Sequence, residues 1–242
     1  MLWRPWAPNV ASDDEQITRA RAMNEQMWLT DDGDDFLRLV KFAASKVSER
    51  KVRLFSVGSC RLIWTLITKK PYRVAVETAE AFADGEATKK ALTAARIAAR
   101  TTAEAEKKYA KLQVAAACLD AVDANVVSGA FGASVDVPSA ALYRGTDDWD
   151  YDAAKRTVLA FLRDVVGPWP FRKVVLKPSW RTSTVLALAS QMYESRDFGA
   201  IPILGDALQD AGCDNAEVLD HCRGPGPHVR GCWVVDLVLN KE

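Results

Sequence analysis

Both histidines of this chain and three of its five cysteines fall in one C-terminal stretch, Cys213 to Cys232. Cysteine sulfur and imidazole nitrogen are the donors zinc prefers, so Cys213, His221, Cys222, His228 and Cys232 form a candidate ligand set. The spacing argues both ways. On a helix expected over about 228–240, His228 and Cys232 stand one turn apart on one face. His221 and Cys222 are adjacent, where helical side chains diverge by about 100°, and the set matches no standard finger. The simpler expectation is three small buried thiols, Trp233 in the core, Gly-Pro-Gly-Pro at 224–227 as a rigid turn, and no resident cofactor. On that reading sulfur and nitrogen atoms lie on separate sides of the tail helices. A catalytic thiol with a histidine partner is the third option.

A second pattern runs through the alanine-rich segment 86–124, which holds neither Gly nor Pro. Lys89, Arg96, Arg100, Lys107 and Lys111 recur at intervals that place them within an arc of roughly 60° on a continuous helix. Ala87, Ala91, Ala94, Ala98, Ala105, Tyr109 and Leu112 take the other side as a packing face. The basic stripe suits a phosphate backbone or an acidic partner, and the plainer reading is a solvated face partly neutralised by Glu104 and Glu106.

Lys51 to Trp64 is apolar with three basic residues. Gly58 and Ser59 invite close approach by another helix, and Cys60 reads as core. No Gly-rich phosphate loop, HExxH pair or nucleophile elbow is present, so no catalytic residue is assigned. At the N-terminus, Trp3 and Trp6 stand on a proline-containing arm and read as anchors for a protein partner.

These residues need helices to position them. Ser12 to Glu15 caps a helix running to about Leu29, Asp34 and Asp35 open a second, and a third spans about 49–68. Pro71 starts a fourth that ends at Asp84-Gly85. Segment 86–124 reads as one long helix or two abutting ones. Gly129, Gly132, Pro138 and Gly145 make 125–147 an irregular connection. Thr146 caps the next helix, which stops at Gly167-Pro168, and 168–180 is extended. Helices follow over about 182–195, 201–211, 215–222 and 228–240. The expected fold is all-α, a bundle-like array or two lobes around the alanine-rich helix. Its parts are an arm with the first helix (1–27), a lobe at 28–124, the connection at 125–147 and a lobe at 148–242.

Two blocks resemble a family of bacterial proteins: Ser48 to Phe55 continuing through Cys60 to Trp64, and the tail from Leu204 to Cys213 with Arg223 to Trp233. Tyr72 to Gly85 is similar more loosely. Where related chains carry a paired cysteine, this one has Ser59-Cys60. The resemblance implies an intact domain and brings no activity with it.

Composition bounds the rest. Half the residues are hydrophobic (49%), which supports a sizeable core, and 32 basic residues balance 32 acidic ones. That balance disfavours a globally charged coat for nucleic acid or membrane. Apolar runs fall short of the roughly 18 residues a membrane helix needs, and the first residues do not form a signal peptide. An odd number of cysteines without an export signal points to the reducing cytoplasm. The expected function is a non-enzymatic helical accessory subunit with a protein partner. Nucleic-acid association within a larger assembly is the alternative, and a zinc- or thiol-dependent enzyme centred on the tail the second alternative.

Overall fold

The computed structural model describes residues 23–31, 35–141, 151–168 and 170–241. Trp3, Trp6 and most of the first expected helix lie outside them. The described residues are all-α, with twelve α-helices, one turn of 3-10 helix at Pro178–Trp180 and no strand. None of these helices is long and apolar enough to cross a membrane.

The first five helices are α1 (Glu25–Thr30), α2 (Phe36–Ala44), α3 (Glu49–Leu62), α4 (Lys70–Ala83) and α5 (Lys89–Glu104). Their starts follow local chemistry. The side chains of Asn24, Asp35, Ser48 and Thr88 each accept a backbone N–H at the N-cap, and Pro71 occupies the first turn of α4. Then come α6 (Tyr109–Ala121), α7 (Val126–Ala141), α8 (Tyr151–Val166), α9 (Ser183–Ser195), α10 (Ile201–Asp210), α11 (Ala216–Arg223) and α12 (Trp233–Leu239).

Three expectations change. The alanine-rich segment is two helices, α5 and α6, one of the two forms expected for it, but its buried face is not the expected one. Glu106, just past the end of α5, pairs with Lys69 Nζ at 2.6 Å and accepts from the Tyr72 hydroxyl, which draws the chain toward α4. The buried face of α5 is Leu92, Ala95 and Ala99, whereas Ala91, Ala94, Ala98, Ala105, Tyr109 and Leu112 are exposed.

Residues 126–141 are not an irregular connection. They form α7 with Pro138 inside it, packed closely on α6. Its glycines are there for proximity: a Cβ on Gly129 would lie 2.3 Å from the Asp120 carbonyl oxygen, and one on Gly132 equally near the Asp120 carboxylate. The last helix begins at Trp233, so 224–232 is a loop and His228 and Cys232 share no helix face.

Two apolar clusters result. The first takes buried residues from α1 to α8 together with Val229, and the second gathers the extended segment 174–176 with α9 to α12. Along that segment Val174 and Leu176 are buried while Val175 faces out, the alternation of an extended chain.

Buried charge ties the clusters. From α3, Arg50 reaches Asp236 of α12 at 2.7 Å and Asp84 at 2.9 Å, while Lys51 Nζ lies 2.6 Å from Asp236 and donates to the Gly231 carbonyl. Tyr193 of α9 donates to Asp84 at 2.6 Å. Asp236 is completely buried, so Asp236→Asn leaves two cations short of their counter-charge. Removing one partner of a buried pair costs about 3–5 kcal/mol, and urea unfolding should show a loss of that size.

Asp120 yields a test of opposite sign. Burial, then the adjacent Asp136 carboxyl, push its pKa up to about 9. Folding therefore takes up a proton, and this contribution is full below the ordinary carboxylate range and drains as pH rises toward 9. Asp120→Asn should match the native protein near pH 4 and become progressively more stable than it up to pH 9. Melting curves across that range check this.

Candidate metal centre in the tail loop

Asp164 lies in the last turn of α8, and its carboxylate is the point on which the tail converges. Gly167 ends α8 at φ 63°, and a Cβ there would lie 2.5 Å from Trp233 Cγ, so glycine lets the indole cross the helix end. The loop 224–232 then runs back over α8. His228 Nδ1 stands 2.8 Å from Asp164 Oδ1, and the Val229 N–H donates to Oδ2 at 2.9 Å. Pinned there, Val229 packs on Gly58 of α3, where a Cβ would meet its side chain at 3.2 Å. The close approach signalled by Gly58 is thus made by this loop, not by a helix.

His221, in the last turn of α11, brings Nε2 to 3.1 Å from Asp164 Oδ1 and 3.2 Å from Cys232 Sγ. Its other nitrogen, Nδ1, accepts from Trp233 Nε1–H at 3.0 Å. One donor atom each from Asp164, His221, His228 and Cys232 lies within 4.8 Å of all the others. The expected scatter is therefore not found: three of the five sequence candidates meet. Cys213 and Cys222 are buried separately in the second apolar cluster, Cys222 against Gly205.

Asp164 was missed by the sequence reading. Its signal was a carboxylate between Leu162 and Val165, on a helix whose inner face is otherwise apolar. Trp3 and Trp6 lie outside the described residues. Arg96 pairs with Asp123 at 3.5 Å, Lys89 and Arg100 are exposed on α5, Lys107 sits in the connection and Lys111 on α6, so the stripe is broken. Cys60 is a core thiol that donates to the Ala117 carbonyl.

The electrostatics are those of a buried anion surrounded by donors. Burial pushes the Asp164 carboxyl up, but hydrogen bonds from His221 and His228 outweigh it and hold the group below the usual range. Burial, followed by the Asp164 charge, pushes the Cys232 thiol well up, against a smaller pull from the Val235 and Val234 N–H groups. Such a thiol stays protonated unless a cation replaces the proton.

Without an ion, the protons have a consistent arrangement. Trp233 can only donate, so neutral His221 carries its proton on Nε2, directed at Asp164. His228 carries its own on Nδ1, leaving its buried Nε2 without a partner among the described residues. A cavity of about 360 Å³ opens beside the cluster, lined by Trp28, Arg163, Phe171, His221, His228 and Trp233 among others. Comparison with known proteins finds no matching family, curated relative or solved structure.

A catalytic thiol does not fit this geometry, because all five cysteines are buried. Iodoacetamide at neutral pH should leave the folded protein unlabelled and modify five cysteines in urea, read by intact mass. Rapid labelling of native Cys232 would contradict this account.

Proposed function

We propose that this chain is a non-enzymatic, metal-stapled helical binding protein. One divalent ion of the zinc class is held by Asp164, His221, His228 and Cys232. The observation that carries this reading is the convergence of four chemically apt donors within 4.8 Å. Tetrahedral zinc with bonds of about 2.0–2.3 Å needs its ligands roughly 3.3–3.7 Å apart, so the donors require only small shifts. The ion's two charges offset the Asp164 carboxylate and a Cys232 thiolate, making a buried neutral centre.

Outer contacts favour the same reading at two ligands. The Val229 N–H holds the second Asp164 oxygen, and backbone N–H groups of Val234 and Val235 face the sulfur. Trp233 opposes it at the third, because its N–H keeps the His221 proton on Nε2, where the metal must bind. Four protein ligands in a buried cluster leave no open coordination position, which suits a structural ion that fixes the 224–232 loop rather than one that activates water. A thiolate ligand also suits the reducing cytoplasm.

The chelator-stripped protein should take up one equivalent of zinc in a competition titration. Cys232→Ser and His228→Ala should weaken it by about 10–100-fold or more, while Cys213→Ser and Cys222→Ser leave it unchanged. Trp233→Phe removes the opposing donor, worth about 1 kcal/mol, and should tighten binding several-fold. No uptake, or equal loss in all four cysteine and histidine variants, would contradict the centre.

A protein partner is favoured by a different observation. The outward side of α5 and the start of α6 expose Ala91, Ala94, Ile97, Ala98 and Tyr109, with Ile97 and Tyr109 61% and 60% accessible. An apolar face of this kind, not the broken basic stripe, is where an accessory subunit would dock. Ile97→Glu should abolish co-purification of a partner from the native host without lowering the melting temperature.

A further inference from the structure

On the other side of the loop 224–232 lies a second cavity, of about 240 Å³. Its charged walls are Arg61 from α3, Arg196 just after α9, Arg230 from the loop, and Glu80 of α4. Three guanidiniums therefore face one carboxylate. All three converge on the same oxygen, Glu80 Oε2: Arg61 Nη2 at 3.1 Å, Arg196 Nε at 2.7 Å and Arg230 Nη1 at 3.6 Å. Glu80 is buried and cannot match three cations.

Neighbouring carboxylates are shared among several cations. Arg230 also reaches Asp84 at 2.8 Å, but Asp84 is shared with Arg50, and Asp236 with Arg50 and Lys51. Five cations (Arg50, Lys51, Arg61, Arg196, Arg230) thus share three buried carboxylates (Glu80, Asp84, Asp236), and the exposed Glu77 faces Arg196 from the rim. Glu86, 3.6 Å from Arg230, is a solvated rim group with more than half its side chain exposed.

The donors are also fixed in place. Arg61 stacks on Trp64 at 4.1 Å and Arg230 on Tyr193 at 4.3 Å, leaving the guanidinium edges to donate. The Nε atoms of Arg61 and Arg230 are buried and have no hydrogen-bond acceptor among the described residues. A buried guanidinium N–H without an acceptor is costly, and a ligand that supplies oxygens removes the cost. Arg196 sits at φ 59°, a left-handed conformation glycine adopts freely and arginine does not. Its side chain nevertheless turns in to Glu80.

We infer that this cavity binds the phosphoryl group of a small phosphomonoester. A phosphomonoester carries close to two negative charges at neutral pH, and its oxygens match the forked donors of three converging arginines, two of which hold a buried Nε without an acceptor among the described residues. Val57, Leu62, Phe161 and Phe198 supply an apolar wall for the organic remainder. The inference is independent of the metal centre, since its arginines are placed by their own stacking and ion pairs.

The test is calorimetric titration of the full chain, chelator-stripped and zinc-loaded, with inorganic phosphate, phenyl phosphate and benzoate. Both phosphates should bind, phenyl phosphate the tighter, and benzoate at least tenfold more weakly than phenyl phosphate. Arg196→Gly, at a backbone position suited to glycine, should keep the native melting temperature and lose at least tenfold in phosphate affinity. Arg61→Gln should do the same to affinity. No binding of either phosphate at millimolar concentration overturns the proposal, as does unchanged affinity in both variants. Benzoate binding as tightly as phenyl phosphate overturns the dianion assignment. Binding by the stripped protein alone, with zinc uptake absent, would fail the metal reading and leave this one standing.

Discussion

A carboxylate taken out of water must find donors or lose its charge, and Asp164 finds them all in the tail. His228, Val229 and His221 each bring an N–H to it, from a loop and a helix more than fifty residues further along the chain. That requirement sets the path of the 224–232 loop. Once Val229 is pinned to Asp164, its side chain meets Gly58 on α3, and Arg230 is delivered against Glu80, Asp84 and Tyr193. Lys51 then completes the closure from the other side through Gly231 and Asp236. One buried anion on α8 thereby couples the two apolar clusters, the candidate metal centre and the arginine cavity.

The two sites divide the loop between them. Its α8 side offers His228 and Cys232 to a cation, and its α3–α4 side offers Arg230 to an anion, with His228 lining the cavities on both sides. Between them the loop is held by the hydrogen bond from Val229 N–H to Asp164, while Arg230 is fixed by its own stacking on Tyr193 and its ion pair with Asp84. The same geometry disfavours chemistry on the sulfur: Cys232 is fully buried and its thiol is held protonated by its surroundings.

Much of the helical pattern was legible in the chain. Asp35, Ser48, Thr88 and Pro71 mark helix starts by chemistry local to each residue, and Gly85 ends α4 as its turn demands. The misreadings occur where distant residues decide. Gly129 and Gly132 look like breakers, yet they stand inside α7, where Asp120 passes too close for a side chain. In the alanine-rich segment the sequence leaves one helix or two open, and the contacts of Glu106 with Lys69 and Tyr72 accompany the break into two. At the site, the crowding of His221, His228 and Cys232 was visible, but Asp164 was not, since its partners lie far away in sequence. The arginine cavity was invisible for the same reason: Arg61, Arg196 and Arg230 come from three separate regions, and nothing local marks them as neighbours.

The metal centre is the claim on which the proposed function stands, and its most direct measurement is the zinc K-edge X-ray absorption spectrum of the loaded protein. The account predicts a four-coordinate first shell of one sulfur and three nitrogen or oxygen atoms at about 2.0–2.3 Å, with imidazole scattering beyond it, and loss of the sulfur contribution in Cys232→Ser. A six-coordinate oxygen shell without sulfur, or a sulfur signal that survives that substitution, would contradict it.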